Sequence, residues 1–305
     1  MWPLLAVLLA ACGVASSSPT LSPTAEPTAS ESPTAMLKPT PAPIPIDEAM
    51  LARRFTVLVA GADTSRSRRA GGLDEVNTDA LMVISVSADK SRIAMLSLPR
   101  DTVDLPMADG SVYRGKVNSI SQRLGIEALR DAMGSLLGVP IDRYIRVDMD
   151  DFSWLVDAVG GVDVQVAARI SDPLVHLNLP AGPAHLDGPL ALAYTRTRAD
   201  SDYGRAARQQ QVMLALVRKW LDPSVGTLIG SARVMQSLQT DIGLTELPTL
   251  LEIGRRSASA EVSAVVLKPP RFSLFVGIEP NSSRGWVMIP DVPEIRAYAR
   301  AALAD

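Results

Sequence analysis

Cysteine, histidine and aromatic residues are scarce in this 305-residue chain, and positive charge is not in excess. A single cysteine rules out an intrachain disulfide, so the fold must rest on its packed core. Thirty Lys and Arg against 33 Asp and Glu leave a net charge of −3. That balance, with no helix-turn-helix signal, argues against the basic field of a nucleic-acid binder, and no nucleic-acid partner is expected. The two histidines, His176 and His185, both lie in a Pro/Leu-rich loop region and are expected to serve structure, which disfavours a Ser-His-Asp hydrolase. The N-terminal uncharged run, Trp2 to Ala15, is shorter than the roughly 20 apolar residues that span a bilayer.

That run instead matches the h-region of a secretory signal peptide, although the usual positive n-region is missing. Cys12 follows Leu9-Ala10-Ala11, and Leu-Ala-Ala-Cys resembles a bacterial lipobox, in which the cysteine receives a diacylglycerol and becomes the new N-terminus. The alternative is an uncleaved signal anchor. Either reading exports the folded part and ties it to the membrane. From Ser16 to Pro45 the composition changes to Pro, Ser, Thr and Ala, with eight prolines from Pro19 onward. Such a segment cannot bury a core and is expected to be an extended linker. At polyproline rise it reaches up to roughly 90 Å. The expected organisation is therefore a signal peptide with lipobox over 1–12, a linker over 13–51 and a folded domain over 52–305.

Within the folded part, "RFTVLVAG" (54–61), "ALMVISVSA" (80–88) and "RIAMLSLPR" (92–100) read as buried strands. Residues 118–138 have helical spacing with a terminal glycine. A strand follows over 143–149, a helix over 150–161 and a strand over 162–166. Short helices are expected through "LDGPLALAY", then a longer helix over 204–221. Further helices are expected near 227–238 and 245–256, strands near 261–267 and 285–289, and a last helix over 291–303. Alternating strands and helices define an α/β fold with helices on both faces of a sheet.

Polar clusters fall at the ends of these strands, where open α/β sheets place ligands. They are Asp63 in "VAGADTSR", Asp79 in "VNTDALMV", and Arg100 with Asp101 in "SLPRDT". A fourth cluster, "YTRTRADSDYGRAARQQQ", gathers Arg196, Arg198, Arg205 and Arg208 within thirteen positions. Guanidinium forks bind phosphate oxygens in pairs, and carboxylates with open positions hold Mg²⁺ alongside substrate phosphates. Together these residue types point to a pyrophosphate site capable of phosphoryl transfer. Each cluster taken alone also fits a plainer role: an aspartate as a turn or cap, the arginines as a solvated face.

The ordered series "VAGAD…TDALMVISV…MLSLPRDT…KVNSI…LVDAVGGVDV…ALAYTRTR…DYGRAARQQQ" resembles the LytR-CpsA-Psr family, collinearly over about residues 54 to 220. The resemblance implies an αβα sandwich with a central mixed sheet enclosing a hydrophobic pocket for a polyprenyl chain, its pyrophosphate at the mouth. It also implies transfer of a lipid-linked glycopolymer onto peptidoglycan through a new phosphodiester, with a Mg²⁺ or Mn²⁺ cofactor. Carried over residue by residue, Asp63 and Asp79 match the metal carboxylates. Arg100, Arg196 and Arg198 match phosphate-binding arginines, and Arg205, Arg208 and Gln209 the second Arg-Gln group. Arg100, Asp101, Arg196, Arg198 and Asp202 form the expected catalytic set, with Asp202 either buttressing the arginines or accepting the proton of the attacking hydroxyl. The long loop between Asp63 and Asp79 departs from the family pattern and leaves the role of Arg66 open. A hydrolase using water at the same site and a glycolipid-binding module remain the competing readings.

Overall fold

Apolar residues of the first three strands alternate between two directions, and both directions are buried. In β1 (Phe55–Ala62), Leu58 and Ala60 enter one core while Val57 and Val59 enter another. β2 (Thr78–Val86) divides Leu81 and Val83 from Met82 and Ile84, and β3 (Arg92–Ser97) divides Ala94 and Leu96 from Ile93 and Met95. A sheet apolar on both faces needs a helical layer on each. The computed structural model, which describes residues 45–72, 77–220 and 238–303, has that three-layer form.

A short helix α1 (Glu48–Ala52) precedes β1, and α2 (Arg66–Ala70) follows it. After β3 come the hairpin β4 (Leu105–Pro106) and β5 (Val112–Tyr113), then α3 (Ile120–Leu124), α4 (Ile126–Leu137), β6 (Arg143–Val147) and α5 (Met149–Ala158). The strands β7 (Val162–Val166), β8 (Ile170–Asp172), β9 (Leu177–Leu179) and β10 (Gly182–Leu186) lead into α6 (Gly188–Arg196) and the long α7 (Asp202–Trp220). The remaining elements are β11 (Gln239–Thr240), α8 (Leu247–Arg256), β12 (Glu261–Val266), β13 (Ser273–Ile278), β14 (Trp286–Pro290) and α9 (Val292–Ala302). The central sheet runs β11-β6-β1-β2-β3-β12. It is mixed, because β1/β6 and β3/β12 are parallel and the other neighbours antiparallel.

One face is covered by α3, α4 and α9, which bring Ile120, Leu129, Met133, Leu136 and Ile295 against Leu58, Leu81, Val83 and Leu96. On the other face Met213 and Leu214 of α7 meet Val59, Met82 and Met95, while Leu51 of α1 and Ile253 of α8 meet Phe55. The expected αβα sandwich is therefore present. α7 also packs outward: Val212 and Leu216 join Val162, Val164, Leu186 and Tyr194 in a separate core built on the β7–β10 pair. One helix thus forms the shared wall of two cores.

Several expectations need correction. The folded part starts before residue 52, since Asp47 caps α1 and Met50 and Leu51 are buried. The single helix expected over 118–138 is broken at Gly125, whose φ of 95° no helix accommodates, into a 3-10 turn, α3 and α4. β3 stops at Ser97, freeing Arg100 for a turn. The strands β4, β5, β8, β9, β10, β11 and β13 were not expected: all but β10 and β13 are two or three residues long, β8, β9 and β10 stand ahead of α6 where short helices were expected, and β13 has no clean alternation. Cys12, the linker through residue 44, the side chain of Arg66 and the helix expected near 227–238 lie outside the described residues.

Candidate functional site

The face of the sheet that α7 covers opens into a cavity beside that helix. Arg205, Gln209 and Met213 stand at i, i+4 and i+8, one stripe of α7, and all three line the cavity. The stripe grades from guanidinium to amide to thioether, from the rim to the sheet. Val59, Met82, Val147, Met149, Phe152 and Leu192 supply the apolar walls of a cavity of about 320 Å³. Asp63, Asp79, Arg196 and Arg198 line its polar part.

Local backbone arrangement explains why these charges converge. Asp63 follows β1, just past a register shift at Gly61/Ala62 that re-aims the strand end. Asp79 is the second residue of β2 and so returns to the same edge. At the end of α6, residues 195–198 alternate: Thr195 and Thr197 are buried, Arg196 and Arg198 exposed. The Thr197 hydroxyl donates to Asp172 Oδ2 at 2.6 Å, and this bond, ahead of the backbone N–H of Leu174, holds the Asp172 carboxyl below its ordinary pKa. Thr197 thus pins the segment while its neighbours reach the rim.

At the rim, Arg100 binds Asp79 at 2.5 Å and Arg198 reaches the same Asp79 oxygen at 3.5 Å. Arg196 lies 3.8 Å from Asp63, which is also held by Arg68 at 3.0 Å. Asp202 bridges Arg198 and Arg205 at 3.2 and 3.4 Å. Asp101 is gripped by Lys116 at 2.6 Å, with Arg100 Nε at 3.5 Å. Arg205 is only 5% exposed, and burial pushes its guanidinium below its ordinary pKa, with Asp202 opposing. The Nε atoms of Arg100 and Arg205 are buried without hydrogen-bond partners. Buried donors left unmet cost roughly 1–3 kcal/mol each, and an anion at this rim would meet them.

The model of the LytR_cpsA_psr family matches residues 21–274, most of the chain. The chain belongs to the LytR-CpsA-Psr family. Among curated relatives, the polyisoprenyl-teichoic acid–peptidoglycan teichoic acid transferase TagU of Bacillus anthracis is 33% identical over 190 residues, 61% of this chain and 59% of TagU. The chain thus spans less than two thirds of that relative. The crystal structure of B. subtilis TagV aligns with 83% of this chain and 98% of its own at TM-score 0.64 and 26% identity. TagT bound to LIIa-WTA shares the fold, with TM-score 0.63 and 22% identity over 84% of this chain and 92% of its own.

Not every residue expected in the family's arginine group reaches the cavity. Arg208 is a correction: its Nε donates to Tyr194 O at 3.0 Å, one terminal nitrogen to Thr197 O at 2.6 Å and the other to Asp200 at 2.8 Å. Buried at 6% exposure, it clamps the α6–α7 turn and does not line the cavity. The glutamine run has three separate destinations. Gln209 lines the cavity and donates to Thr195 O, Gln210 donates to Met95 O, Ser97 Oγ and Val265 O, and Gln211 reaches Gln165 O. Successive residues turn by about 100°, so each ties α7 to a different neighbour. His185 pairs with Asp163 across β10 and β7, and His176 ends a 3-10 turn; neither lines the cavity. Sequence reasoning missed Met213, which the i, i+4, i+8 spacing from Arg205 marks. It also missed Arg68 and Lys116, which carry no such signal.

Among the described residues no group of three or more His, Cys, Asp or Glu side chains converges as a metal site. Asp63 and Asp79 nevertheless share the cavity rim, and Mg²⁺ characteristically takes one or two carboxylates and completes its shell with water and substrate phosphates. The donor set fits a cation that arrives with a phosphate ligand.

Proposed function

We propose that this chain transfers a glycopolymer from a polyprenyl-pyrophosphate carrier to a sugar hydroxyl of peptidoglycan, forming a phosphodiester. The observation that carries the reading is one cavity with apolar walls and a rim where Arg196, Arg198 and Arg205 gather beside Asp63 and Asp79, with Arg100 ion-paired to Asp79 from the adjoining cleft. An amphiphile with a long apolar tail and a polyanionic head matches both parts, and the similarity to TagU, a teichoic acid transferase, supports the same reading.

In this reading the prenyl chain lies against Val59, Met82, Phe152 and Met213. The cavity volume is at the small end of the roughly 300–1,000 Å³ typical of ligand sites, which suits the first prenyl units next to the head. Arg196 and Arg198 bind the pyrophosphate oxygens as forks, and Arg205 and Arg100 offer their unmet Nε donors from below. Gln209 hydrogen-bonds an oxygen between them. Such fixed cations stabilise the charge that develops on the phosphoryl oxygens and on the leaving polyprenyl phosphate. Asp63 and Asp79 would hold a Mg²⁺ or Mn²⁺ ion, which when bound supplies further charge neutralisation at the phosphates. Thr197 and Arg208 keep the arginine segment in place. Cys12 and the proline-rich linker would tether the domain outside the cytoplasm, at the membrane where a lipid carrier resides.

The test combines purified protein, a divalent cation and a short-chain polyprenyl-pyrophosphate glycan, with and without peptidoglycan oligomers. Product that requires the acceptor supports transfer. Release of glycan phosphate without acceptor at the same rate would make the protein a hydrolase, and tight binding without turnover would make it a binding module.

A further inference from the structure

Four buried side-chain atoms without hydrogen-bond partners converge in one place beside the cavity: Nε of Arg100, Nε of Arg205, Oδ1 of Asp202 and the hydroxyl of Tyr203. All four residues line a narrow cleft with Asp101 and Trp286. Native interiors leave few such atoms, and each one calls for an explanation. Two of these residues, Arg100 and Arg205, have been assigned to the pyrophosphate; Tyr203, Asp101 and Trp286 have no part in that binding.

The cleft shares Asp79, Arg205 and Gln209 with the cavity. Along β2 the cavity takes Asp79, Ala80 and Met82, and the cleft takes Asp79 and Leu81. Its free volume is about 10 Å³, close to that of one water-sized group. Only a single oxygen can enter, and whatever carries it must stay outside.

Outside stands Trp286, 39% exposed at the start of β14. The backbone fixes its position: Met288 N–H donates to Asp101 O at 3.1 Å and Val103 N–H donates to Met288 O at 3.0 Å. Trp286, two residues before Met288, is thereby held beside the Arg100–Asp101 turn. An indole face at the edge of a polar, oxygen-sized hole is a chemical fit for a sugar: the ring's C–H face covers the indole while one hydroxyl points inward.

We propose that this cleft is the acceptor subsite, in which the acceptor sugar lies on Trp286 and its attacking hydroxyl enters between Tyr203 and Asp202. The proposal rests on the transfer reading above and adds where the second substrate binds. The hydroxyl oxygen forms a new O–P bond to the phosphorus that carries the glycopolymer. The P–O bond to the polyprenyl phosphate breaks, and that phosphate leaves with the electron pair. The hydroxyl proton passes to Asp202 Oδ1, which in the free protein faces the guanidiniums of Arg198 and Arg205 at 3.2 and 3.4 Å as an ion pair. A loose phosphoryl-transfer transition state asks little of the base. The cleft and the cavity adjoin at Asp79, Arg205 and Gln209, and the hydroxyl meets the phosphorus there.

The experiment compares Trp286→Leu and Trp286→Phe with the parent protein, measuring kcat/KM for a peptidoglycan oligosaccharide and, separately, the Kd for the lipid donor. Leucine keeps apolar bulk but removes the aromatic face; phenylalanine keeps the face. The expected result is a loss on the order of ten-fold in acceptor kcat/KM for Leu, as for truncation of an aromatic contact, with most activity kept by Phe and donor Kd at the parent value. Equal acceptor kcat/KM in all three proteins would overturn the proposal, as would a donor affinity that falls in step with it. Absence of acceptor-dependent product from the parent protein would sink the transfer reading itself, and the subsite with it.

Discussion

Arg198 and Arg208 are ten residues apart in one arginine cluster, and their removal is expected to have opposite consequences. Arg208 is buried, with its three nitrogens on Tyr194 O, Thr197 O and Asp200 and its guanidinium 5.7 Å from the Tyr194 ring. Arg208→Ala strands two carbonyls, at about 1–3 kcal/mol for each buried group left unmet, while Asp200, its side chain 52% exposed, is left to water. At roughly 2–4 °C per kcal/mol for a domain of this size, the melting temperature should fall by about 10 °C. Arg198, with a side chain 45% exposed, holds Asp79 and Asp202 only at 3.5 and 3.2 Å. Exposed ion pairs contribute about 0–1 kcal/mol, so Arg198→Ala should leave melting nearly unchanged. Its effect belongs to the ligand: losing hydrogen bonds to a charged group, about 1.5–3 kcal/mol, weakens donor binding at least ten-fold. Thermal unfolding of both variants, with titration of a short-chain polyprenyl-pyrophosphate donor, separates the two roles. An Arg208→Ala protein as stable as the parent but unable to bind donor would refute the clamp assignment and return Arg208 to the site.

Other changes bear on the remaining parts of the site. Met213→Glu puts a carboxylate on the apolar stripe and should abolish binding of a long-chain donor while a pyrophosphate analogue with one isoprene unit still binds; equal loss of both would disprove the tail assignment. Asp79→Asn should lose Mn²⁺ binding in the presence of donor, read by EPR, together with turnover, and keep its melting temperature; retained turnover after chelation would contradict the metal role. Arg198→Lys keeps the charge but not the planar fork and should remain impaired in turnover; full rescue would reduce the cluster to a field of positive charge. Thr197→Val removes the strongest of the bonds that lower the Asp172 pKa. A carboxyl whose folded pKa lies below its unfolded value stabilises the fold above that unfolded value and loses the contribution as pH falls through the folded one. The variant should therefore begin acid unfolding at higher pH than the parent, and an unchanged acid limb would show that Asp172 is not held by Thr197.

The layered fold was legible because its signal is local. Residues 57–60 and 81–84 alternate between two buried faces, and apolar strands of that kind admit few arrangements other than a sheet covered on both sides. The rim residues were legible as an ordered set of motifs. What the sequence did not reveal is which arginines face the ligand. Arg205 and Arg208 look equivalent at i, i+3, yet they differ by about 60° around α7. That angle puts Arg205 on the cavity stripe and Arg208 against α6, and only the position of α6 makes the difference count. Trp286 lies beyond the motif-bearing stretch and reaches the site through pairing with residues 101–103, a contact across more than 180 positions that no local pattern announces.

The geometry of the rim rests less on its charges than on the polar groups behind them. Arginines that converge without an anion repel one another, and the carboxylates between them are partly solvated, so ion pairing alone would hold them loosely. Rigidity comes instead from buried hydrogen bonds in which at least one partner is uncharged: Thr197 to Asp172, Arg208 to the carbonyls of Tyr194 and Thr197, Gln210 to both β3 and β12. These fix α7 and the segment before it against the sheet from two directions. Cations held in place before the substrate arrives need no reorganisation when charge develops on the phosphoryl oxygens, which is the condition under which such groups accelerate a reaction most. The glutamine run and the alternating threonines therefore belong to the site as much as the arginines do, although none but Gln209 and Thr195 lines the cavity.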